Sequence, residues 1–295
     1  GVYINLERNR NSIEIGSSLD IASSKLRKVK VDGKYISPLG LTEYLGIISL
    51  TPLMDKIFIE GATNRRKFFD KISWVFISAH ANNVRLYEKA VKERNNLLKE
   101  NSNDKVWFDN IEKHIVKYGT EIIINRFKVL KLLNEQISNN IINFPKANMN
   151  LVGEIENIFN QNPDINTFSE MYLKSLNEKR KIDFYRGFTS IGPHKTDLDV
   201  IYREKEMTAN LCSTGEQKSL LISIILSVAK SYKKHTNLSP ILLLDEVFSH
   251  LDNDKKQSLS KEIESLDSQA FMTGIDKSDF MTFNKDSCII NLDSN

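Results

Sequence analysis

Pro240-Ile241-Leu242-Leu243-Leu244-Asp245-Glu246 restricts the possible folds of this chain more than any other segment. Four branched apolar residues follow a proline and end in two adjacent carboxylates. A run this short and continuous predicts a strand buried on both faces of a parallel sheet, and α/β sheets present ligand-binding residues at the carboxyl ends of such strands. Asp245 and Glu246 are thereby placed where a nucleotide would sit. In phosphoryl transfer the first acid of such a pair can hold Mg²⁺, and the second can orient or deprotonate the attacking water. A strand ending in two solvated acids without chemistry is the competing reading, and the strand alone does not separate the two.

The rest of the chain divides by the period of its apolar residues. Residues 1–70 carry short alternating runs such as Val2-Tyr3-Ile4-Asn5-Leu6 and Ser12-Ile13-Glu14-Ile15, and Asp32-Gly33 supplies a hairpin signal. They predict an antiparallel β layer. Residues 71–185 switch to helical spacing. Val84, Leu86, Tyr87, Val91, Leu97 and Leu98 share one side of a first helix, while Ile111, Ile115, Tyr118, Ile122, Phe127 and Leu130 mark a second over 107–142, stopped by Pro145. Joined near 101–104, the two should pack antiparallel as a helical arm. Residues 186–295 return to α/β, with strands expected at 198–202, buried at 270–273 and terminal at 287–292, and a helix over 219–228 buried all round. The expected domains are a discontinuous head, 1–70 and 186–295, interrupted by an arm, 71–185.

Four further segments carry the functional signal. Cys212-Ser213-Thr214-Gly215-Glu216-Gln217-Lys218-Ser219 opens the apolar helix, and Ser249-His250-Leu251-Asp252 follows the carboxylate pair. With the strand between them, these resemble the signature, Walker B and D-loop series of ABC-type ATPase heads. Gly61-Ala62-Thr63-Asn64-Arg65-Arg66-Lys67-Phe68-Phe69-Asp70 and Gly192-Pro193-His194-Lys195-Thr196-Asp197-Leu198 resemble elements of the RecF family, in the same order along the chain. Arg94 and Asn95 also match its pattern. The resemblance runs from about Leu41 to Asp276 and is weakest over 1–40 and 140–170. It implies an α/β fold of the ABC-type ATPase head: a P-loop NTPase-like mixed sheet with an antiparallel β layer and an inserted α-helical arm.

The same resemblance implies the roles of individual residues. ATP and Mg²⁺ would be the cofactors, with Asp245 on the metal and Glu246 as general base. Ser213 and Gly215 would reach the γ-phosphate held by a second subunit, making an ATP-dependent homodimer, and Asp252 would make the D-loop contact between subunits. Where many ABC heads place a switch histidine, Thr273-Gly274-Ile275-Asp276 offers Thr273. Arg65, Arg66 and Lys67 would touch DNA at gaps or single-strand/duplex junctions. RecR and RecO would be partners, RecA an indirect one, and recombinational repair, replication and the SOS response the cytoplasmic setting. Leu53 stands where some relatives carry Gln, so either that ligand comes from elsewhere or hydrolysis is slow, and the resemblance implies a weak, DNA-stimulated ATPase in the full-length protein. By local chemistry alone, Ser213-Thr214-Gly215 also reads as a helix N-cap, the basic run as solvated surface, and His194 as a packed, hydrogen-bonded residue in a turn.

No Gly-x-x-x-x-Gly-Lys-Ser/Thr loop occurs in the chain. The resemblance places that phosphate cradle ahead of Gly1, so the chain by itself is expected not to hydrolyse ATP. With 295 residues, 40% apolar content and a net charge of +3, composition permits a large core and hints weakly at acidic partners. Local clusters matter more, at Lys25, Arg27, Lys28, Lys30 and Lys34 and at 65–67. Cys212 and Cys288 are too few for a disulfide framework, and their spacing with the histidines makes no zinc cluster. No run reaches transmembrane length. An ABC-type ATPase of transport or chromosome maintenance, or a DNA scaffold that does not hydrolyse ATP, are the competing functions.

Overall fold

The computed structural model describes residues 1–8, 11–19, 27–100, 104–139, 143–281, 283 and 287–292. Lys25, the 101–103 connection and Ile142 lie outside them. The described residues form two compact units, Gly1–Gly46 and Ile47–Asn295.

The first unit is an antiparallel meander of β1 (Val2–Arg8), β2 (Asn11–Leu19), β3 (Arg27–Val31) and β4 (Lys34–Ile36), in that order. Alternation sets its inner face, where Ile15, Val29 and Val31 are buried. The expected hairpin forms at Asp32 (φ 47°) and Gly33 (φ 76°), the positive pair that a two-residue turn needs to match strand twist. The Asp32 carboxylate accepts from the Glu14 amide at 2.8 Å and locks the turn to β2.

The second unit runs β5 (Ile47–Leu50), α1 (Ala62–Phe76), α2 (Ala79–Lys99), α3 (Lys105–Asn139), β6 (Ala147–Val152), α4 (Glu154–Gln161), α5 (Ile165–Arg186), β7 (Asp197–Tyr202), β8 (Met207–Thr208), α6 (Thr214–Thr236), β9 (Ile241–Leu244), α7 (Asn253–Ser265) and β10 (Ala270–Met272). It holds a parallel sheet of order β10-β9-β5 and an antiparallel sheet of order β6-β7-β8. β9 is the central strand of the parallel sheet, as its apolar run predicts. Its burial is one-sided, however. Leu242 and Leu244 are buried in the core shared with α6, whereas Leu243 is 39% exposed and its register partner Phe271 on β10 is 56% exposed. Among the described residues α6 covers one face of the strand, not the two expected, and β10 stands at the edge of the sheet instead of being buried. Residues 287–292 form no strand; Ile289, Ile290 and Leu292 are exposed.

α6 meets the expectation of burial on all sides, with every residue from Gln217 to Ala229 buried. α2 and α3 pack antiparallel. Early residues of one meet late residues of the other, His80 near Asn125 and Arg94 against Glu112. α5 completes their core, in which Ile115, Phe168, Tyr172 and Leu176 are fully buried. Gly119 on α3 is required there, because a Cβ would stand 2.8 Å from the Tyr172 ring.

Candidate functional site

The carboxylate pair leaves β9 as the parallel sheet ends. The Asp245 amide donates to the Leu50 carbonyl at 2.9 Å, extending the ladder by one bond, and Glu246 then turns the chain with φ 48°. A non-glycine residue in the left-handed region costs about 1 kcal/mol or more and marks a backbone held for a purpose. Thr273, one residue beyond β10, bonds the Asp245 carboxylate and the Glu246 main chain. Its hydroxyl donates to Asp245 Oδ1 and accepts from the Glu246 amide at 3.0 Å, while its own amide donates to the Leu244 carbonyl at 3.1 Å. The single hydroxyl proton is committed to the aspartate, leaving Asp245 Oδ2 and the Glu246 carboxylate outward. Mg²⁺ takes one or two protein carboxylates and completes its shell from water and phosphate oxygens, which one free Asp245 oxygen fits. Among the described residues no group of three His, Cys, Asp or Glu side chains forms a metal cage.

The turn after the pair continues into Asp252. Ser249 bonds back to the Glu246 carbonyl at 2.8 Å, and His250 adopts φ 62°. Asp252 caps α7, its carboxylate accepting from the Lys255 amide at 2.8 Å, and these bonds hold its pKa below the usual carboxylate value. Ser213 caps α6 in the same manner through a reciprocal box. Glu216 Oε2 accepts from the Ser213 amide at 2.8 Å and hydroxyl at 2.9 Å, and the Glu216 amide donates to Ser213 Oγ at 3.4 Å. Lys205 pairs with the same Glu216 carboxylate, and with Ser213 it lowers that group to about 2. An anion thus already sits at the α6 N-terminus. A Cβ at Gly215 would lie 3.4 Å from the His250 carbonyl oxygen, so the two predicted segments abut within one chain.

The basic residues lie elsewhere. Arg65 forks onto Asp197 at 2.7 and 2.8 Å and onto the Glu60 carbonyl; this pairing raises the guanidinium pKa and lowers that of Asp197. Its guanidinium is thus engaged by the fold on this side. Arg66 reaches the Thr196 carbonyl at 2.8 Å, and Lys67 is exposed.

The 61–70 and 192–197 segments therefore act as one structural unit. Arg126 of α3 joins them, pairing with both Asp70 oxygens at 2.8 Å and donating to the Pro193 carbonyl at 2.8 Å and the Thr196 hydroxyl at 3.1 Å. Burial pushes the Asp70 carboxyl up, but Arg126 and a hydrogen bond with His80 outweigh it and hold the group at about 2. His194 is fixed between the Thr189 carbonyl at 2.9 Å and the Tyr87 hydroxyl at 2.6 Å, and burial lowers it to about 4. Gly192 sits at φ 132° where a Cβ would meet the Tyr87 and Tyr172 hydroxyls at 2.2 and 2.4 Å. Arg94, wholly buried, binds Glu112 at 3.0 Å and Asp183 at 2.7 Å; Asn95 accepts the Thr189 amide at 2.7 Å.

One pair escaped the sequence reading. Lys218, 1% exposed in α6, bonds Asp55 at 2.7 Å and ties the signature helix to the 3₁₀ turn Pro52–Lys56 that carries exposed Leu53. A lysine inside an apolar helical run is the signal that could have revealed it, since such a charge demands a partner.

A parallel sheet whose central strand delivers an acid pair, a capped helix abutting the turn that follows, and a helical insertion define an ABC-type ATPase head. No protein-family model matches the chain. It is 37% identical over 281 residues to the DNA replication and repair protein RecF of Brucella suis biovar 1, covering 95% of this chain and 73% of that protein, and 36% identical over 283 residues to that of Rhizobium rhizogenes, covering 95% and 75%. The chain belongs to the RecF family. A solved structure of the recombination mediator protein RecF-ATPrS in the RecFOR pathway superposes with a TM-score of 0.79 at 22% identity, over 92% of this chain and 73% of that one. The RecF-ATP structure gives 0.72 at 23% identity, covering 92% and 74%. Among the described residues no helix is long and apolar enough to cross a membrane.

Proposed function

We propose that this chain supplies the catalytic half of an ATP-dependent DNA-binding switch of RecF type. The observation that carries the reading is Thr273, whose hydroxyl bonds the Asp245 carboxylate and the Glu246 main-chain amide, an arrangement that would hold Asp245 for Mg²⁺ and the turn from which the Glu246 carboxylate would reach the attacking water. ATP would be sandwiched between this surface and the α6 N-terminus of a second subunit. The Ser213 hydroxyl, now bonded to Glu216, would exchange that partner for the γ-phosphate, with Gly215 allowing close approach. Asp252 would hold the turn that meets the partner. Thr273, occupying the place of a switch histidine, would sense the nucleotide through the acids it touches.

Residues 71–185 would form the arm inserted in a head made of 1–70 and 186–295. DNA at gaps and single-strand/duplex junctions would be gripped through phosphates by Arg65, Arg66 and Lys67, giving strongly salt-dependent and weakly sequence-dependent affinity. RecR and RecO would act with the dimer to promote RecA loading in the cytoplasm, and slow hydrolysis would release it.

In the full-length protein, Glu246→Gln should keep ATP affinity and lengthen dimer residence on gapped DNA, while Ser213→Arg should leave the monomer folded and block dimerisation. Sedimentation with and without ATP reads both. Equal dimer populations in wild type and Ser213→Arg would refute the sandwich, and unchanged turnover in Glu246→Gln would refute the base.

A further inference from the structure

We infer that the C-terminal end of α5 and the turn after it form a platform on which the unpaired bases of a single-stranded nucleic acid stack. The inference rests on the DNA-binding part of the reading above and is independent of its nucleotide part. Lys181-Ile182-Asp183-Phe184-Tyr185-Arg186-Gly187-Phe188 brings three aromatic rings to the surface within one helical turn and its exit, with Phe184 37%, Tyr185 80% and Phe188 41% exposed. Rings of this size ordinarily dominate cores, so three together in water on one short segment call for an occupant. Phe184 and Tyr185 stand edge to face with centroids 6.4 Å apart. Gly187, at φ 71°, ends α5 in a left-handed cap and turns Phe188 off the helix.

The charge around the rings selects the occupant. Lys181 and Arg186 are exposed, and Lys195 lies 4.7 Å over the Phe188 ring. The single acid of the segment, Asp183, is turned inward and fully buried, held by Arg94 at 2.7 Å and by the Ser190 amide at 3.1 Å. The outer surface of the segment therefore presents aromatic faces and the half-exposed Ile182 among cations, with its one acid turned inward. Protein-protein interface cores are depleted in lysine, whereas surfaces for single-stranded nucleic acid pair ring faces for bases with cations for the backbone. Any base can stack, so recognition would be indifferent to sequence and would exclude paired bases, whose faces are already covered.

The test uses the full-length protein without nucleotide, measuring fluorescence anisotropy with labelled oligothymidylate and with a blunt duplex of equal length at low salt. Tyr185→Ala and Phe188→Ala should each weaken oligothymidylate binding about five-fold or more, while duplex binding changes less than about two-fold and Tyr185→Trp retains the wild-type value. Circular dichroism melting confirms that the variants fold. Equal losses on single strand and duplex, unchanged single-strand binding, or wild type that fails to bind oligothymidylate would each overturn the platform. A change confined to sedimentation would overturn it in favour of a protein interface. Wild type that binds gapped DNA with ATP, alongside inert ring variants, would sink this inference and leave the proposed function standing; wild type that binds no DNA would sink both.

Discussion

Replacing His194 by Phe should remove much of the acid sensitivity of the α2–α3–α5 bundle. The Thr189 carbonyl only accepts, so Nε2 carries the imidazole proton and Nδ1 is the acceptor for the Tyr87 hydroxyl. Burial holds the folded-state pKa at about 4, against 6.5 for an unperturbed histidine. The unfolded chain therefore takes up the proton first. The contribution of His194 is fully present above 6.5 and is lost as pH falls toward 4. Between about pH 7 and about pH 5, two pKa values so placed give a loss of about 2 kcal/mol. Urea unfolding followed by circular dichroism at these two pH values reads it. Wild type should lose about 2 kcal/mol more than His194→Phe over the interval, although the variant starts lower by about 1 kcal/mol for its lost hydrogen bonds. Equal pH slopes in the two proteins would refute the assignment of a buried, neutral His194.

Three further outcomes are expected. Arg126→Met should destabilise the chain by about 3–5 kcal/mol in urea unfolding, because it strands the buried Asp70 and Thr196 groups, and a loss below about 1 kcal/mol would contradict the central role given to Arg126. Gly192→Ala should cost about 1–3 kcal/mol through its overlap with the Tyr87 and Tyr172 hydroxyls, measured by the same unfolding, whereas Gly61→Ala, with open space around it, should cost well under about 1 kcal/mol. Thr273→Val should leave the melting temperature nearly unchanged yet slow ATP turnover by the full-length protein about ten- to a hundred-fold, since the Asp245 carboxylate and the Glu246 amide lose their common partner; turnover equal to wild type would show that the acids are positioned otherwise.

Elements whose cause is local could be read from the sequence. The Asp32-Gly33 hairpin, the antiparallel pairing of α2 with α3 and the fully buried α6 follow from turn chemistry and period. Burial that depends on what covers a face could not be read. Leu243 and Phe271 look like core residues in a one-dimensional pattern, and 287–292 has the composition of a strand but gains no ladder partner. Side-chain partnership across long separations was equally hidden. Nothing in the basic run around Arg65 announces its Asp197 partner, and the bond from Thr273 to Asp245 exists only because β10 pairs with β9. Ser213, Gly215 and the acid pair stood out because their spacing along the chain is that of a family. The abutment of Gly215 on the His250 carbonyl was not, since it depends on how α6 meets the turn after β9.

The grip of Arg126 on the 192–197 turn has a mechanical side. α3 runs from Lys105 to Asn139, and Arg126 holds it at an interior point. At about 1.5 Å per residue, roughly 30 Å of helix project beyond that anchor toward Lys105. A pivot of about 5° there would carry the helix tip by roughly 3 Å, the width of an atom. The bonds made by Arg126 and His194 leave little play in the bearing, and Arg94, joining Glu112 to Asp183, makes the projecting part of α3 move together with α5. Small rearrangements of the turn would therefore emerge as displacements at the far end of α3, and loads on that end would be felt by α1 and β7.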